Sequence, residues 1–179
     1  MLTPFLRLKI PDNGTVSGVP THASLKLSTV NDGEITVTGV DGELDVNNVN
    51  GPVTLNNVSG SAMAHALNGK VLATFARVNE EPMAFSSLNG DIDVTLPGNV
   101  KANVTIKSDR GDVFSDFDVQ LQASAPQQIV EDGRGHGHGG KYRVRIDKTV
   151  HGTINGGGPE YQFTNFQGGI YIRKAGSPK

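Results

Sequence analysis

Two stretches of this chain carry side chains with chemical potential. The first is Gly135-His-Gly-His-Gly-Gly140, which sets His136 and His138 two residues apart. On an extended segment, positions i and i+2 share a face, so two imidazoles there could bind Zn²⁺ or Cu²⁺. A tight site needs three or four ligands, and Asp132 or His151 would have to complete it. The plainer reading is a flexible Gly-rich loop with two solvated imidazoles. The second stretch is a late group of carboxylates: Asp91, Asp93, Asp109, Asp112, Asp116 and Asp118. Paired carboxylates can bridge Ca²⁺, or act as general acid and base on a glycosidic bond. Asp91 and Asp112 are the pair that would do so. The plainer reading is a solvated acidic stripe, with Lys70 placed to relieve part of the repulsion at Asp91. His22 and His65 stand alone and read as surface or corner residues. The expectation is therefore no catalytic residue, no cofactor and no metal. His136, His138, Asp91 and Asp112 are kept as weak metal candidates.

Other chemistries lack their signatures. The chain has no Gly-x-Ser-x-Gly elbow, His-Glu-x-x-His motif, phosphate loop or dinucleotide fingerprint. It has no cysteine, which removes disulfides, thiolate metal sites and cysteine nucleophiles. Net charge is −2, so attraction to nucleic acid or anionic lipid is not expected. No apolar run approaches the ~18–20 residues of a membrane helix, and none is expected to insert. The opening MLTPFLRLKIP shows no long apolar segment and no small-residue cleavage site, so this chain is expected to carry no signal peptide. Ten aromatic residues, most at inward positions of the pattern below, leave few sugar platforms for a carbohydrate enzyme.

What remains is a repeat. Gly33, Gly42, Gly51, Gly60 and Gly69 fall nine residues apart. Each is followed by the same pattern, Gly-x-φ-x-φ-x-x-φ-x, with apolar residues at Ile35, Val37 and Val40; Leu44, Val46 and Val49; Val53, Leu55 and Val58; Ala62, Ala64 and Leu67. The first two of each set share a strand face, and the third requires a bend. Asn47-Asn48 and Asn56-Asn57 lie at the bends, and Asp-Gly, Asn-Gly or Ser-Gly pairs mark the ends of the units. Nine residues cannot encircle a core when facing sheets sit ~10 Å apart, so two units make one turn of about 18 residues. Gly90 and Gly111 continue the series at steps of 21. Stacked this way, Ile35, Val53, Val71, Ile92 and Val113 form one inward column, and Asp91 and Asp112 become neighbours outside it. Asn50, Asn68 and Asn89 recur at one corner, where their amides can hydrogen-bond from turn to turn.

The predicted fold is all-β: a single-stranded right-handed parallel β-helix, or β-solenoid, of about 18–21 residues per coil. One domain spans residues 1–179. Residues 1–24 supply an N-terminal strand or cap, 25–118 the regular coils, 119–140 a polar Gly-rich loop, and 141–179 the C-terminal coils. The aromatic residues Tyr161, Phe163 and Phe166 are expected to close the core as a lid. Gly33, Gly42, Gly51, Gly60, Gly69, Gly90 and Gly111 are the expected structural corners.

Three stretches carry a family resemblance. They are Leu88-Asn-Gly-Asp-Ile-Asp-Val-Thr-Leu-Pro97, Val100-Lys-Ala-Asn-Val-Thr-Ile106 and Gly111-Asp-Val-Phe-Ser-Asp-Phe117. With Gly152-Thr-Ile-Asn-Gly-Gly-Gly158 and Gly168-Gly-Ile-Tyr-Ile-Arg173, they resemble the bacterial adhesin-like family, a domain of unknown function built from short β-strand repeats. The resemblance covers the chain from about Leu25 onward. Asp32-Gly33, Arg110-Gly111 and Gln167-Gly168 depart from it where Asn-Gly is common. It implies a right-handed β-helix, exported to the cell envelope or secreted, and it implies no catalytic residues. The expected function is a non-enzymatic adhesin or scaffold whose faces meet a surface protein or glycan. The alternative is a self-assembling, bactofilin-like polymer joined through solenoid edges. A carbohydrate-active enzyme using Asp91 and Asp112 ranks third.

Overall fold

The computed structural model describes residues 6–9, 15–16, 23–30, 33–122, 129–131, 142–145 and 149–176. The protein is all-β. Its first strands are β1 (Leu6–Lys9), β2 (Thr15–Val16), β3 (Leu25–Thr29), β4 (Ile35–Thr38) and β5 (Asp41–Asn50). Then come β6 (Val53–Asn68), β7 (Val71–Val78), β8 (Met83–Asn89), β9 (Ile92–Leu96), β10 (Ala102–Arg110) and β11 (Val113–Ser115). The remainder are β12 (Val119–Leu121), β13 (Ile129–Glu131), β14 (Tyr142–Arg145), β15 (Val150–Ile154), β16 (Glu160–Gln167) and β17 (Ile170–Lys174).

These strands join one mixed sheet, arranged as two ladders. One runs β1, β3, β5, the second half of β6, β8, β16 and β10, all parallel. The other runs β2, β4, the first half of β6, β7, β9, β17 and β11, again parallel. Ile35 pairs with Val53, Val53 with Val71, and Val71 with Ile92, as the Gly spacing predicts. Alternation along each strand sends Leu44, Val46, Ala62, Ala64, Met83 and Phe85 into a single core. At one end the direction reverses. β15 lies antiparallel on β10 and carries β12, while β14 lies antiparallel on β11 and carries β13. The sheet is thus mixed rather than parallel throughout. Within the stretch read as a loop, residues 119–140, the chain forms β12 and β13.

The largest departure concerns the C-terminal strands. They are not a lid. β16 pairs with β8 on one side and β10 on the other, and β17 likewise lies between β9 and β11. Ile170 therefore separates Ile92 from Val113 in the column where the Gly spacing makes those two touch. Side-chain size gives the physical reason. Tyr161, Phe85 and Phe163 are the largest fully buried residues, and Phe85 stacks on Phe163 with ring centroids 5.5 Å apart. In a terminal rung each ring would leave one face to water. In the middle both faces are covered, which is worth on the order of 1.5–3 kcal/mol per side chain.

The close approach of rungs explains the glycine spacing. A methyl group added at Gly51 would run into the carbonyl oxygen of Gly33. The same obstruction recurs at Gly69 from Gly51, at Gly90 from Gly69, at Gly168 from Gly90, and at Gly111 from Gly168. A shorter column joins Ala23, Gly42 and Gly60. Gly39, by contrast, has φ +68° and nothing within 4 Å of the place a Cβ would occupy. We expect Gly39→Ala to cost about 1 kcal/mol, from backbone strain alone. Gly51→Ala should cost roughly 3 kcal/mol or more, because strain and overlap add there. Chemical denaturation of the two variants checks the contrast, and equal losses would contradict the stacking account.

Tyr161 gives a second test. Its hydroxyl is fully buried, with no hydrogen-bond partner among the described residues. Burial pushes its pKa up to about 12. An unfolded phenol ionises near 10, so the stability contributed by keeping it neutral is complete below pH ~10 and is lost as pH rises through 12. Tyr161→Phe is expected to stabilise the fold by about 1 kcal/mol at neutral pH. It should also flatten the alkaline decline of the denaturation midpoint between pH ~10 and ~12 relative to the parent.

Candidate functional site: a groove along one corner

The groove lies at the corner that carries Asn48, Ala66 and Ser87, opposite the corner of Gly39 and Asn57. At Asn57, φ is +52°, and at Gly39 it is +68°. Each left-handed residue reverses the next side chain, so Val58 and Val40 point inward and are buried. At the opposite corner there is no such residue, and the strand keeps alternating. The residue before the third apolar position turns inward instead: Asn48, Ala66, Ser87, Asn165 and Ser108 are all buried. The third apolar position then faces out. Leu67 is 43% exposed, Leu88 40% and Phe166 39%. The sequence pattern places Val49 and Leu67 in the core with Val40 and Val58, and the structure corrects this.

The registers Asn48–Ala66–Ser87–Asn165 align these outward residues across successive rungs. Val49, Leu67, Leu88 and Phe166 form an apolar column, with Val30 beside Val49 at its end. A parallel polar column two residues earlier holds Asn47, His65, Ser86, Thr164 and Lys107. Between the columns runs a groove of 540 Å³. Arg110 covers one face of Phe166, its guanidinium 5.5 Å from the ring centroid. Lys107 and Asp109 place one charge of each sign at that end.

Below the groove, buried polar groups latch the corner. Asn48 Nδ2 donates to Gly33 O (2.7 Å), Ser87 Oγ to Gly69 O (2.9 Å) and Asn165 Nδ2 to Gly90 O (2.9 Å). Ser108 Oγ donates to Gly111 O at 3.0 Å. Each satisfies a carbonyl of the glycine column. Outside, Asn68 donates to Asn50 Oδ1 (3.0 Å) and Asn89 to Asn68 Oδ1 (2.8 Å), the amide ladder that the recurrence of Asn suggests.

His65 Nδ1 lies 2.6 Å from Ser86 Oγ, the closest approach in the groove to a base and nucleophile. Hydrolysis would further need a group orienting the imidazole and donors for an oxyanion. Among the described residues no carboxylate bonds the His65 ring, and His65 and Ser86 line the polar side of the groove. Asp91 and Asp112 are not neighbours. Gly169 sits between them, its amide donating to Asp91 Oδ1 at 2.9 Å, and Lys70 lies 3.4 Å from Asp91. Asp93 instead accepts two bonds from Arg173 Nε, at 2.7 and 3.0 Å, and this pairing raises the Arg173 pKa. His151 is exposed, 3.0 Å from Thr105 Oγ1. His136, His138, Asp132 and His22 lie outside the described residues. Among the described residues no group of three or more His, Asp or Glu side chains could hold a metal ion.

A family model described as Toastrack DUF4097 matches residues 15–155. The chain belongs to the Toastrack family. This family is a domain of unknown function. No match was found among curated proteins or among solved structures. The Toastrack match takes in Gly33, Gly51, Gly69, Gly90 and Gly111 of the glycine column but not Gly168. It ends before β16 and β17, which occupy the middle of both ladders.

Sequence reasoning misses the groove because Asn47-Asn48-Val49 and Asn56-Asn57-Val58 are spelled alike. The signal available is the class of residue one place earlier on other rungs: Ser87, Asn165 and Ser108 are small or amide-bearing, suited to a latch. We expect Asn165→Ala to destabilise by about 1–3 kcal/mol, since Gly90 O loses its buried donor. Thr164→Ala, one residue away on the outer face, should change stability by less than about 0.5 kcal/mol. Thermal denaturation of both variants distinguishes a latch from general sensitivity of β16.

Proposed function

We propose that the protein is a non-enzymatic scaffold of the cell envelope, a right-handed β-solenoid that binds a surface protein along the corner groove. Parallel registers of 18 to 21 residues through the first rungs support the solenoid reading. The envelope location rests on the resemblance to exported adhesin-like repeats. The observation that carries the function is the aligned, exposed column of Leu67, Leu88 and Phe166. A contiguous apolar row beside hydrogen-bonding groups marks an interaction surface. Aliphatic side chains favour a protein partner over a polyhydroxylated glycan, which wants open aromatic faces, and Phe166 has one face under Arg110.

The self-assembling polymer is the second reading. β1 and β2 each pair with one strand among the described residues, which leaves an edge for another copy. The antiparallel strands at the other end oppose it, because a continuing stack would need parallel edges at both ends. The carbohydrate-enzyme reading is the least favoured: two rungs of ~4.8 Å put Asp91 and Asp112 roughly 10 Å apart along the stack, with Gly169 between them.

Leu88→Asp is outward-facing and is expected to leave the denaturation midpoint nearly unchanged. It should weaken capture of the partner from an envelope extract at least tenfold, since burying each leucine contributes ~1.5–3 kcal/mol. Asn56→Asp, on the other corner, should have no effect on capture. Undiminished capture by the Leu88→Asp protein, or turnover of a polysaccharide by the parent, would defeat the reading.

A further inference from the structure

We propose that the C-terminal coil, β16 and β17, is an exchangeable insert that a second copy of this chain can supply. The body of the fold makes a slot for it. β8 and β9 form one wall, β10 and β11 the other, and all four precede the insert in the sequence. Without the insert each ladder would have a gap one strand wide with unpaired edges on both sides. Such a slot is the geometry of strand addition, in which main-chain hydrogen bonds supply affinity and alternate side chains supply specificity.

The slot is selective for the insert's own sequence. Tyr161, Phe163, Ile170 and Ile172 fill the core behind it and are fully or almost fully buried. Asn165 latches Gly90 O, and Gly168 must lack a side chain because Gly90 O stands where a Cβ would be. Another copy of residues 160–174 meets all these conditions at once.

The connection that leads into the slot is suited to opening. Residues 155–159 cross over the outside of the 97–101 segment: Asn155 Nδ2 donates to Val100 O at 2.7 Å, and Val100 is buried while Asn155 and Gly156 are exposed. Asn155, Gly156 and Gly157 have φ of +49°, +87° and +85° in succession. The turn is closed by Gly157 N to Ile154 O at 3.1 Å and by Asn103 Nδ2 to Gly158 O at 2.6 Å. A run of left-handed residues that includes a non-glycine gives up strain when extended. Extended, the span from Ile154 to Glu160 reaches roughly 20 Å, enough to enter a neighbouring copy across a two-fold axis. A depression of 690 Å³ borders Lys101, Gly157, Gly158 and Pro159, leaving the turn open to solvent on that side.

The absence of cysteine makes the exchange directly testable. Ala84 and Gln162 are register partners on the outer face of β8 and β16. The full chain carrying both A84C and Q162C, bridged with a short bismaleimide, should close within one molecule. Chains carrying A84C alone and Q162C alone are then unfolded together and refolded as a mixture. Exchange predicts a linked pair whose ratio to unlinked chain rises about tenfold for a tenfold rise in refolding concentration, while A84C alone stays unlinked. A double variant that closes beside a mixture that never links above the A84C background overturns the proposal, as does a double variant that fails to close. Light scattering on the unmodified chain gives an independent reading: dimer increasing with refolding concentration supports exchange, and monomer at every concentration rejects it.

Discussion

Along the line Gly33, Gly51, Gly69, Gly90, Gly168 and Gly111, the carbonyl oxygen of each rung stands where a Cβ of the next would be. Rungs hydrogen-bonded edge to edge lie ~4.8 Å apart, and at a corner the backbone turns its carbonyl along the stack. Only a residue without a side chain fits beneath it. That single steric rule sets the repeat length, holds Ile35, Val53, Val71, Ile92 and Ile170 in one column, and leaves carbonyls that need a donor from inside. Asn48, Ser87, Asn165 and Ser108 provide the donors. Because small residues occupy the inward position, the residue after each faces outward: Val49, Leu88 and Phe166 after Asn48, Ser87 and Asn165, Asp109 after Ser108, and Leu67 after Ala66. The groove is thus a by-product of satisfying the corner.

The two corners of a rung solve the same problem differently. At one, a left-handed Asn57 or Gly39 folds the next valine into the core. At the other, the strand runs on and the amide goes in. A sequence pattern that scores only apolar positions treats these as equivalent, and in the Asn-Asn-Val triplets the residues themselves are the same. What distinguishes them is the backbone dihedral angle at a single residue: Asn57 is left-handed and Asn48 is not.

The regular rungs are legible in the sequence for a physical reason. The glycine constraint acts between residues 18 to 21 apart, so it leaves a period in the chain. Burial of Leu44, Val46, Val53, Leu55, Ile92 and Val94 follows from that period and strand alternation. The position of β16 and β17 is not legible, because their neighbours are 57 and 78 residues away in register and no period connects them. The step from Gly90 to Gly111 matches the step from Gly69 to Gly90, although Gly168 intervenes in space. Only the size of Tyr161 and Phe163 hints at a central place, since rings of that volume are wasted at an end. The candidate site is barely legible: His65 reads as an isolated surface residue, and the exposed column reads as core.

The insertion of β16 and β17 between earlier strands also sets an order of events on the ribosome. Residues 83–115 are made before the strands that belong among them, with about 60 residues still to be added before β17 is complete. At ~5–20 residues per second the nascent chain spends roughly 3–12 seconds with that space unfilled, its amides and apolar faces open to water and to chaperones. Codon-dependent pausing over residues 116–159 would lengthen that interval, so translation speed there bears directly on how much of the newborn protein reaches its final form.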